Sequence, residues 1–462
     1  MSRDCRHCDG LSRSRFLHRA AAEAGRGLPA IEQGMPLPAG SGLSRRSFLA
    51  HGLGAALSVY GASRLGLGAL EAGIAAAAGS PSAPVLVSVF LEGGADGLSV
   101  LSPQGDPLYR KLRPKLAIAG GTALREDDRL HWHPALGGLA QLYGEGKVTV
   151  MPAIGYTNAD QSHFTSRHYW EVGATSTSLQ TGWLGRYLDA VGTGDNPLQG
   201  LSLDDTLAPA LATARVPVAS LAGPDQYDFW SSNVWGEVEQ RMLEGIGRLG
   251  AAQSDPALAN AAFVSAQVDR LRTQLLPFQP ADDGTPAYTS PVAYPQSADS
   301  DFPKKLAGLA AMLAAGLPLR AVALSAPGEY DTHSAQPAAL SSGLKLTGDS
   351  LLAFQRDLEA RGLADRVLVH VWSEFGRRAQ ENGSQGTDHG AAGTSFLVGS
   401  RVTGTMLGEF PGLRSGLDED GNLRATSDFR AVYCSLLEQW LGVDAGRVIP
   451  QAGSFQRPKL IA

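Results

Sequence analysis

Five apolar, largely β-branched runs constrain this chain more than any other feature. They are "APVLVSVFLEGGADG" (Ala83 to Gly97), "KVTVMPAIGY" (Lys147 to Tyr156), "LRAVALSAPGEYDTH" (Leu319 to His333), "DRVLVHVWSEFGR" (Asp365 to Arg377) and "TSFLVGS" (Thr394 to Ser400). Each breaks off in polar or glycine-rich sequence. A continuous apolar run of strand length suits a strand buried on both faces. Helix-like stretches lie between them: "HPALGGLAQLYGEG", "FVSAQVDRLRTQLL", "FPKKLAGLAAMLAAGL" and "LTGDSLLAFQRDLEARGL". The last predicts an N-cap at Thr347 or Asp349 and an end at Gly362. Strand alternating with helix predicts an α/β fold, a doubly wound, mostly parallel sheet flanked by helices.

The segment ahead of the first run reads differently. "SRRSFLAHGLGAAL" (Ser44 to Leu57) fits a twin-arginine export signal, and Arg64 and Glu71 make the apolar stretch around it a poor permanent membrane span. This predicts a leader over 1–79, removed after it has engaged the twin-arginine export machinery. The remaining 80–462 would work in the periplasm, the envelope or outside the cell, with no stable membrane span. The chain's net charge is −6, and nine Arg against five Asp/Glu in 1–79 leave −10 on the remainder. So acidic a protein is a poor binder of nucleic acid. Cys5 and Cys8 would leave with the leader, and Cys434 sits in a helix-like stretch as a predicted buried core residue. The Pro/Ser/Asp-rich stretch 276–303 predicts a long surface loop within one α/β domain.

Ligands of open α/β sheets bind beyond the carboxyl ends of the strands. The residues just past each run are therefore the ones to inspect for chemistry. Asp96 lies in "EGGADG", Asp331 and His333 in "EYDTH", Glu374 in "SEFGR", and Asp388 and His389 in "GTDHG". Ser162 and His163 come after the second run and open a predicted helix. Asp, Glu and His without usable Cys suit divalent zinc, manganese or magnesium. Two such ions can activate water or an alcohol and clamp the oxygens of a tetrahedral anion. Ser162 at a helix N-terminus is the candidate nucleophile, and backbone N–H groups there suit an anionic ester. His163 and Arg377 are candidates to contact that substrate, and Asp96, Asp331, His333, Glu374, Asp388 and His389 to hold metal.

"VFLEGGADGLSVLSP", "SHF", "YDTHSAQ", "SEFGRRAQENGSQGTDHG" and "SDFRAVYCSLLEQWLG" together resemble an exported bacterial family, domain of unknown function fifteen-oh-one. That family is grouped with the alkaline phosphatase/sulfatase-like superfamily. The resemblance implies an alkaline-phosphatase-like core with two metals at strand ends. It implies metal-ligand roles for Asp96, Asp331, His333 and His389, and a nucleophile at Ser162. The superfamily's "Asp-His-Gly" corresponds either to "SEFGR", with Phe375 where a His is expected, or to "TDHG". The first fits better, because "DRVLVHVW" directly precedes it, and Phe375 then removes one ligand. Two functions are expected on this basis. One is a metal-dependent hydrolase of a phosphate or sulfate ester; the other is a non-catalytic envelope binding protein with a degenerate site.

Overall fold

The computed structural model describes residues 57–60, 83–225, 256–281 and 287–462, with six helical positions between 238 and 248. Arg45, Arg46, Cys5 and Cys8 lie outside these residues, and of the expected leader only Leu57–Tyr60 is described.

Among the described residues the main sheet has nine strands. In chain order they are β1 (Leu57–Tyr60), β2 (Val85–Phe90), β3 (Val148–Gly155), β4 (Gly200–Ser202), β5 (Val218–Leu221), β6 (Ala321–Ser325) and β7 (Val367–Trp372). A separate two-stranded ribbon comes next, β8 (Arg377–Glu381) and β9 (Thr387–His389); then come β10 (Gly393–Val398) and β11 (Ser427–Asp428). The order across the sheet is β1-β5-β4-β6-β2-β7-β10-β3-β11. Pairing is parallel from β5 through β7 and at the β3/β11 edge. It is antiparallel around β10 and between β1 and β5.

The seven principal helices are α1 (Gly137–Gly144), α2 (His163–Val172), α3 (Trp183–Val191), α4 (Pro256–Leu275), α5 (Phe302–Ala314), α6 (Gln336–Ala360) and α7 (Phe429–Ser435). The strand period of two sorts the core between two faces. Val85, Val87 and Val89 of β2 pack into one core with Leu139 and Leu142 of α1, Leu306 and Leu309 of α5, and Leu344 and Phe354 of α6. Leu86 and Phe90 pack into the other with Trp170 of α2, Leu184 and Leu188 of α3, and Tyr433 of α7. Helices therefore cover both faces, which is why the strands read as unbroken apolar runs. Cys434 is a fully buried member of the second core.

Two boundaries differ from expectation. Thr347 and Asp349 are interior to α6, which begins at Gln336 with a proline in its first turn and runs to a C-terminal Gly362 at φ +69°. β10 is antiparallel to both its neighbours, so its first residue, rather than its last, lies at the carboxyl edge of β7 and β3. The stretch 276–303 begins with a 3-10 turn (Leu276–Phe278), and Ser290 and Tyr294 pin it by donating to Asp357 of α6. Among the described residues no helix is long and apolar enough to cross a membrane.

Candidate metal centre

Phe90, Ser325 and Trp372 are register partners at the ends of β2, β6 and β7. Three loops therefore leave the sheet side by side, carrying Gly93–Asp96, Tyr330–His333 and Ser373–Glu374. Close approach is built into the first of them. Gly93 has φ +120°, and a Cβ there would lie 2.5 Å from the Asp331 backbone nitrogen. Gly94 has φ +69°, and a Cβ there would lie 2.2 Å from the Phe375 ring. α2 enters from the end of β3 and the β8/β9 ribbon from the end of β7.

Four side chains converge where these segments meet. Asp331 Oδ1 lies 3.5 Å from His163 Nε2, 3.2 Å from His333 Nε2 and 3.5 Å from His389 Nε2. His333 Nε2 and His389 Nε2 are 3.0 Å apart. The opposite nitrogen of each ring meets an oxygen. His163 Nδ1 is 2.8 Å from Glu374 Oε1, His389 Nδ1 is 2.8 Å from the Gln161 carbonyl, and His333 Nδ1 is 3.3 Å from Asp388 Oδ1. Carbonyls and carboxylates only accept, so each Nδ1 carries a hydrogen; toward Asp331, itself a carboxylate, each Nε2 offers a hydrogen when its ring is charged and a lone pair when it is neutral. Outer acceptors of this kind set the tautomer of metal-ligating histidines.

With all three rings neutral, lone pairs would crowd around Asp331 and repel unless something positive stood among them. A proton is one answer. Burial disfavours a charged ring at His163, yet Asp331 and Glu374 prevail and push it up to about 9. Burial holds His389 down to about 4; Asp331 pulls it upward, while Arg377 and the neighbouring imidazoles add to the depression. Burial alone would raise Asp331, but the three histidines and Arg377 keep it well below the usual carboxylate range. A divalent cation is the other answer, and the donor types fit it: the ligand atoms of His163, Asp331 and His389 lie within 4.8 Å of one another, with His333 beside them.

The remaining candidates fall outside this inner set. Glu374 is buried and one layer out. It accepts the Gly93 N–H at 3.0 Å and the Ser373 hydroxyl at 3.1 Å, and it holds His163. Burial would raise it, but His163 brings it below the ordinary glutamate value. Asp388 is exposed and also one layer out, behind His333. Asp96 belongs to a different network. Arg113 grips it with two nitrogens at 2.5 and 2.9 Å, Ser99 donates at 2.7 Å and Gln336 at 2.6 Å. A carboxylate saturated by donors has no lone pair left for a cation, so the expected ligand role of Asp96 is corrected to a structural one. His163, expected to touch substrate, is instead one of the four converging groups.

Arg377 is corrected in the same way. It is buried, and its nitrogens donate to the carbonyls of Gly93, Gly94, Tyr330 and Thr387 and, at 2.6 Å, to Asp331 Oδ1. It thereby ties the Gly93–Asp96 loop to the segments bearing Asp331 and His389, and each of its three nitrogens already donates to the protein. Phe375 walls the cluster, with its ring centroid 4.8 Å from those of both His163 and His389. Ser162 is the N-cap of α2, and its hydroxyl receives the Thr165 N–H at a long 3.5 Å.

A model of the family described as "Protein of unknown function (DUF1501)" matches residues 149–451. The chain belongs to that family. The match takes in His163, Asp331, His333, Glu374 and His389, while Asp96 and Arg113 precede it. No curated protein matches the DUF1501 chain. Among solved structures it is similar to the lipoteichoic acid synthase LtaP from Listeria monocytogenes, at 9% identity over 80% of this chain and 75% of that one, TM-score 0.33. It is similar to the PsFucS1 sulfatase from Pseudoalteromonas sp. at 11% identity over 81% and 74%, TM-score 0.32. It is also similar to the phosphonate monoester hydrolase SpPMH from Silicibacter pomeroyi at 13% identity over 81% and 75%, TM-score 0.32. Likeness at this level assigns no chemistry to the chain.

Proposed function

We propose that this protein is an exported, metal-dependent hydrolase of a phosphate or sulfate ester. One observation carries the metal. Three imidazole Nε2 atoms gather within 3.5 Å of Asp331 Oδ1, while each Nδ1 is committed to an oxygen behind it. A divalent cation held by His163, Asp331, His333 and His389 would supply Lewis-acid polarisation of an ester oxygen and lower the pKa of an adjacent alcohol or water.

The chain's own residues supply the rest. Ser162 stands one residue before a ligand, at the N-terminus of a ten-residue helix whose first N–H groups favour an anion. Its hydroxyl oxygen attacks phosphorus or sulfur. The leaving alcohol departs with a proton, and water then releases the anion and restores the serine. Phe375 keeps one side of the cluster dry, and Arg377 holds Asp331 in place. The twin-arginine stretch over Ser44–Leu57 supports a site of action outside the cytoplasm, with folding and metal loading completed before export.

The test is metal analysis of protein folded in the cytoplasm, followed by assays on aryl phosphates, phosphodiesters and aryl sulfates. About one equivalent of bound ion and turnover lost in Ser162→Ala are expected. Substantially less than one tightly bound equivalent overturns the reading, and turnover unchanged in Ser162→Ala removes the nucleophile. Arg45→Lys combined with Arg46→Lys should leave the chain in the cytoplasm. A second reading, a non-catalytic binding protein, draws on Arg377, which is buried and whose three nitrogens all donate to the protein itself. Bound metal with no turnover on any ester of the panel would select it.

A further inference from the structure

We propose that the centre takes a single ion of the zinc class on His163, Asp331 and His389, and that His333 is an exchangeable fourth ligand standing where a substrate oxygen binds. This rests on the metal-dependent reading above and specifies its ion, its count and its open position.

The ion class is set by spacing and donor type. A tetrahedral ion with ligand bonds of about 2.0–2.1 Å separates its ligand atoms by roughly 3.3 Å. Around Asp331 Oδ1 the separations are 3.5, 3.2 and 3.5 Å, and His333 and His389 Nε2 are 3.0 Å apart, while the ligand atoms of His163, Asp331 and His389 all lie within 4.8 Å of one another, so the set has to draw in slightly around an ion. Three of the four donors are imidazole nitrogens, whereas magnesium and calcium take mainly oxygens and more of them.

The count is set by the surroundings of the cluster. The carboxylates that would build a second position are occupied. Asp96 is saturated by Arg113, Ser99 and Gln336, and Glu374 is taken by Gly93, Ser373 and His163. Phe375 fills the flank against His163 and His389. Among the described residues only one group of three donors gathers, namely His163, Asp331 and His389, with ligand atoms within 4.8 Å of one another.

The exchangeable position is marked by an asymmetry among the four. Side-chain exposure is 0% at His163, 8% at His389 and 10% at Asp331, but 27% at His333. The anchors differ likewise. His163 is held by Glu374, 1% exposed, at 2.8 Å, and His333 by Asp388, 55% exposed, at 3.3 Å. His163 rides on α2 and His389 on β9, while His333 sits on the loop between β6 and α6. A catalytic zinc site keeps three protein ligands and one open position, and four fixed ligands would close it. The ligand nearest solvent with the weakest anchor is the one a substrate oxygen can displace.

The test uses the full chain, stripped of metal and titrated with zinc, magnesium and cobalt(II). One zinc per chain is expected, with magnesium unable to compete at equal concentration. His163→Ala and His389→Ala should weaken zinc binding by about 100-fold or more, and His333→Ala by no more than about tenfold. His389→Gln replaces the alanine variant if that fails to fold. The cobalt form should show the intense visible absorption of a four-coordinate ion. Inorganic phosphate should perturb that spectrum at about tenfold lower concentration in His333→Ala than in the unaltered chain. Two ions per chain, magnesium binding as well as zinc, His333→Ala losing metal as severely as His389→Ala, or an unchanged phosphate response each overturns the inference while leaving a metal enzyme standing. No ion bound by the unaltered chain removes both.

Discussion

Two carboxylates, Asp96 buried and Asp331 nearly so, follow neighbouring strands of this sheet, and each touches an arginine, yet they are opposites. Asp96 is ringed by donors, with Arg113, Ser99 and Gln336 all pointing hydrogens at it. Asp331 has one permanently charged donor, Arg377, and three imidazole nitrogens that give it a hydrogen only while their rings are protonated. The first is electrically complete as it stands. The second is complete only with a proton or a cation added. A strand-end carboxylate in an α/β sheet is thus not a ligand by position alone, because the sign of its surroundings decides.

The largest effect that would sharpen this contrast belongs to the complete site. Removing one partner of a buried pair strands the other charge, at a cost of about 3–5 kcal/mol. Arg113 is fully buried and also donates to the carbonyls of Arg378 and Ala379. Arg113→Met should therefore lower unfolding free energy by that order in urea titrations, with or without a chelator. A deficit that vanished when metal was stripped would mean the Asp96 network is part of the metal centre after all.

The same contrast explains how much could be read from the sequence. β2, β3, β6, β7 and β10 were legible because both their faces are covered and their apolar runs are unbroken. β4 and β5, of three and four residues, carry too little pattern. The start of α6 was hidden because Thr347 and Asp349 imitate caps inside a 25-residue helix. The gathering of Asp331, His333 and His389 was legible because polar residues past the ends of neighbouring strands are brought side by side. The fate of Asp96 was not, since Arg113 lies 17 residues away with no motif linking the two. Nor was the role of His163. A histidine just inside a helix start looks the same whether it faces substrate, solvent or three other donors. Arg377 looked like an anion binder because sequence shows its charge and not the carbonyls that absorb it.

A smaller effect is expected from pH, and it should appear only at the incomplete site. In metal-stripped protein His163 sits near 9, above the ordinary histidine value of 6.5. Its contribution is fully present below 6.5 and lost as pH rises through 9. His389 sits near 4, below 6.5, so its contribution is present above 6.5 and lost as pH falls toward 4. Stripped protein should be most stable near pH 6.5, declining on both sides by on the order of a few kcal/mol. Asp96 is held below its ordinary 3.8, with Arg113 outweighing burial, and adds no slope over this range. Zinc should flatten the alkaline limb, because His163 then has no proton to lose, and steepen the acid limb, because protons compete with the ion. An alkaline limb that persisted unchanged with zinc bound would place the ion away from His163.

The smallest effects separate the two anchors behind the histidines. Glu374 is buried, accepts from Gly93 and Ser373, and fixes His163 at 2.8 Å. Glu374→Gln keeps the shape but removes the charge that makes the imidazole a stronger donor to metal. Loss of such an outer partner weakens metal affinity by about 10–100-fold, or roughly 1.4–2.7 kcal/mol. Asp388 holds His333 at 3.3 Å from an exposed position shared with Asn382. Asp388→Asn should change affinity by no more than about 0.5 kcal/mol, the usual scale for a surface substitution. Competition titrations against a zinc chelator measure both. If Asp388→Asn proved the more damaging, His333 rather than His163 would be the firmly anchored ligand, and the ranking of the cluster from buried to exchangeable would have to be reversed.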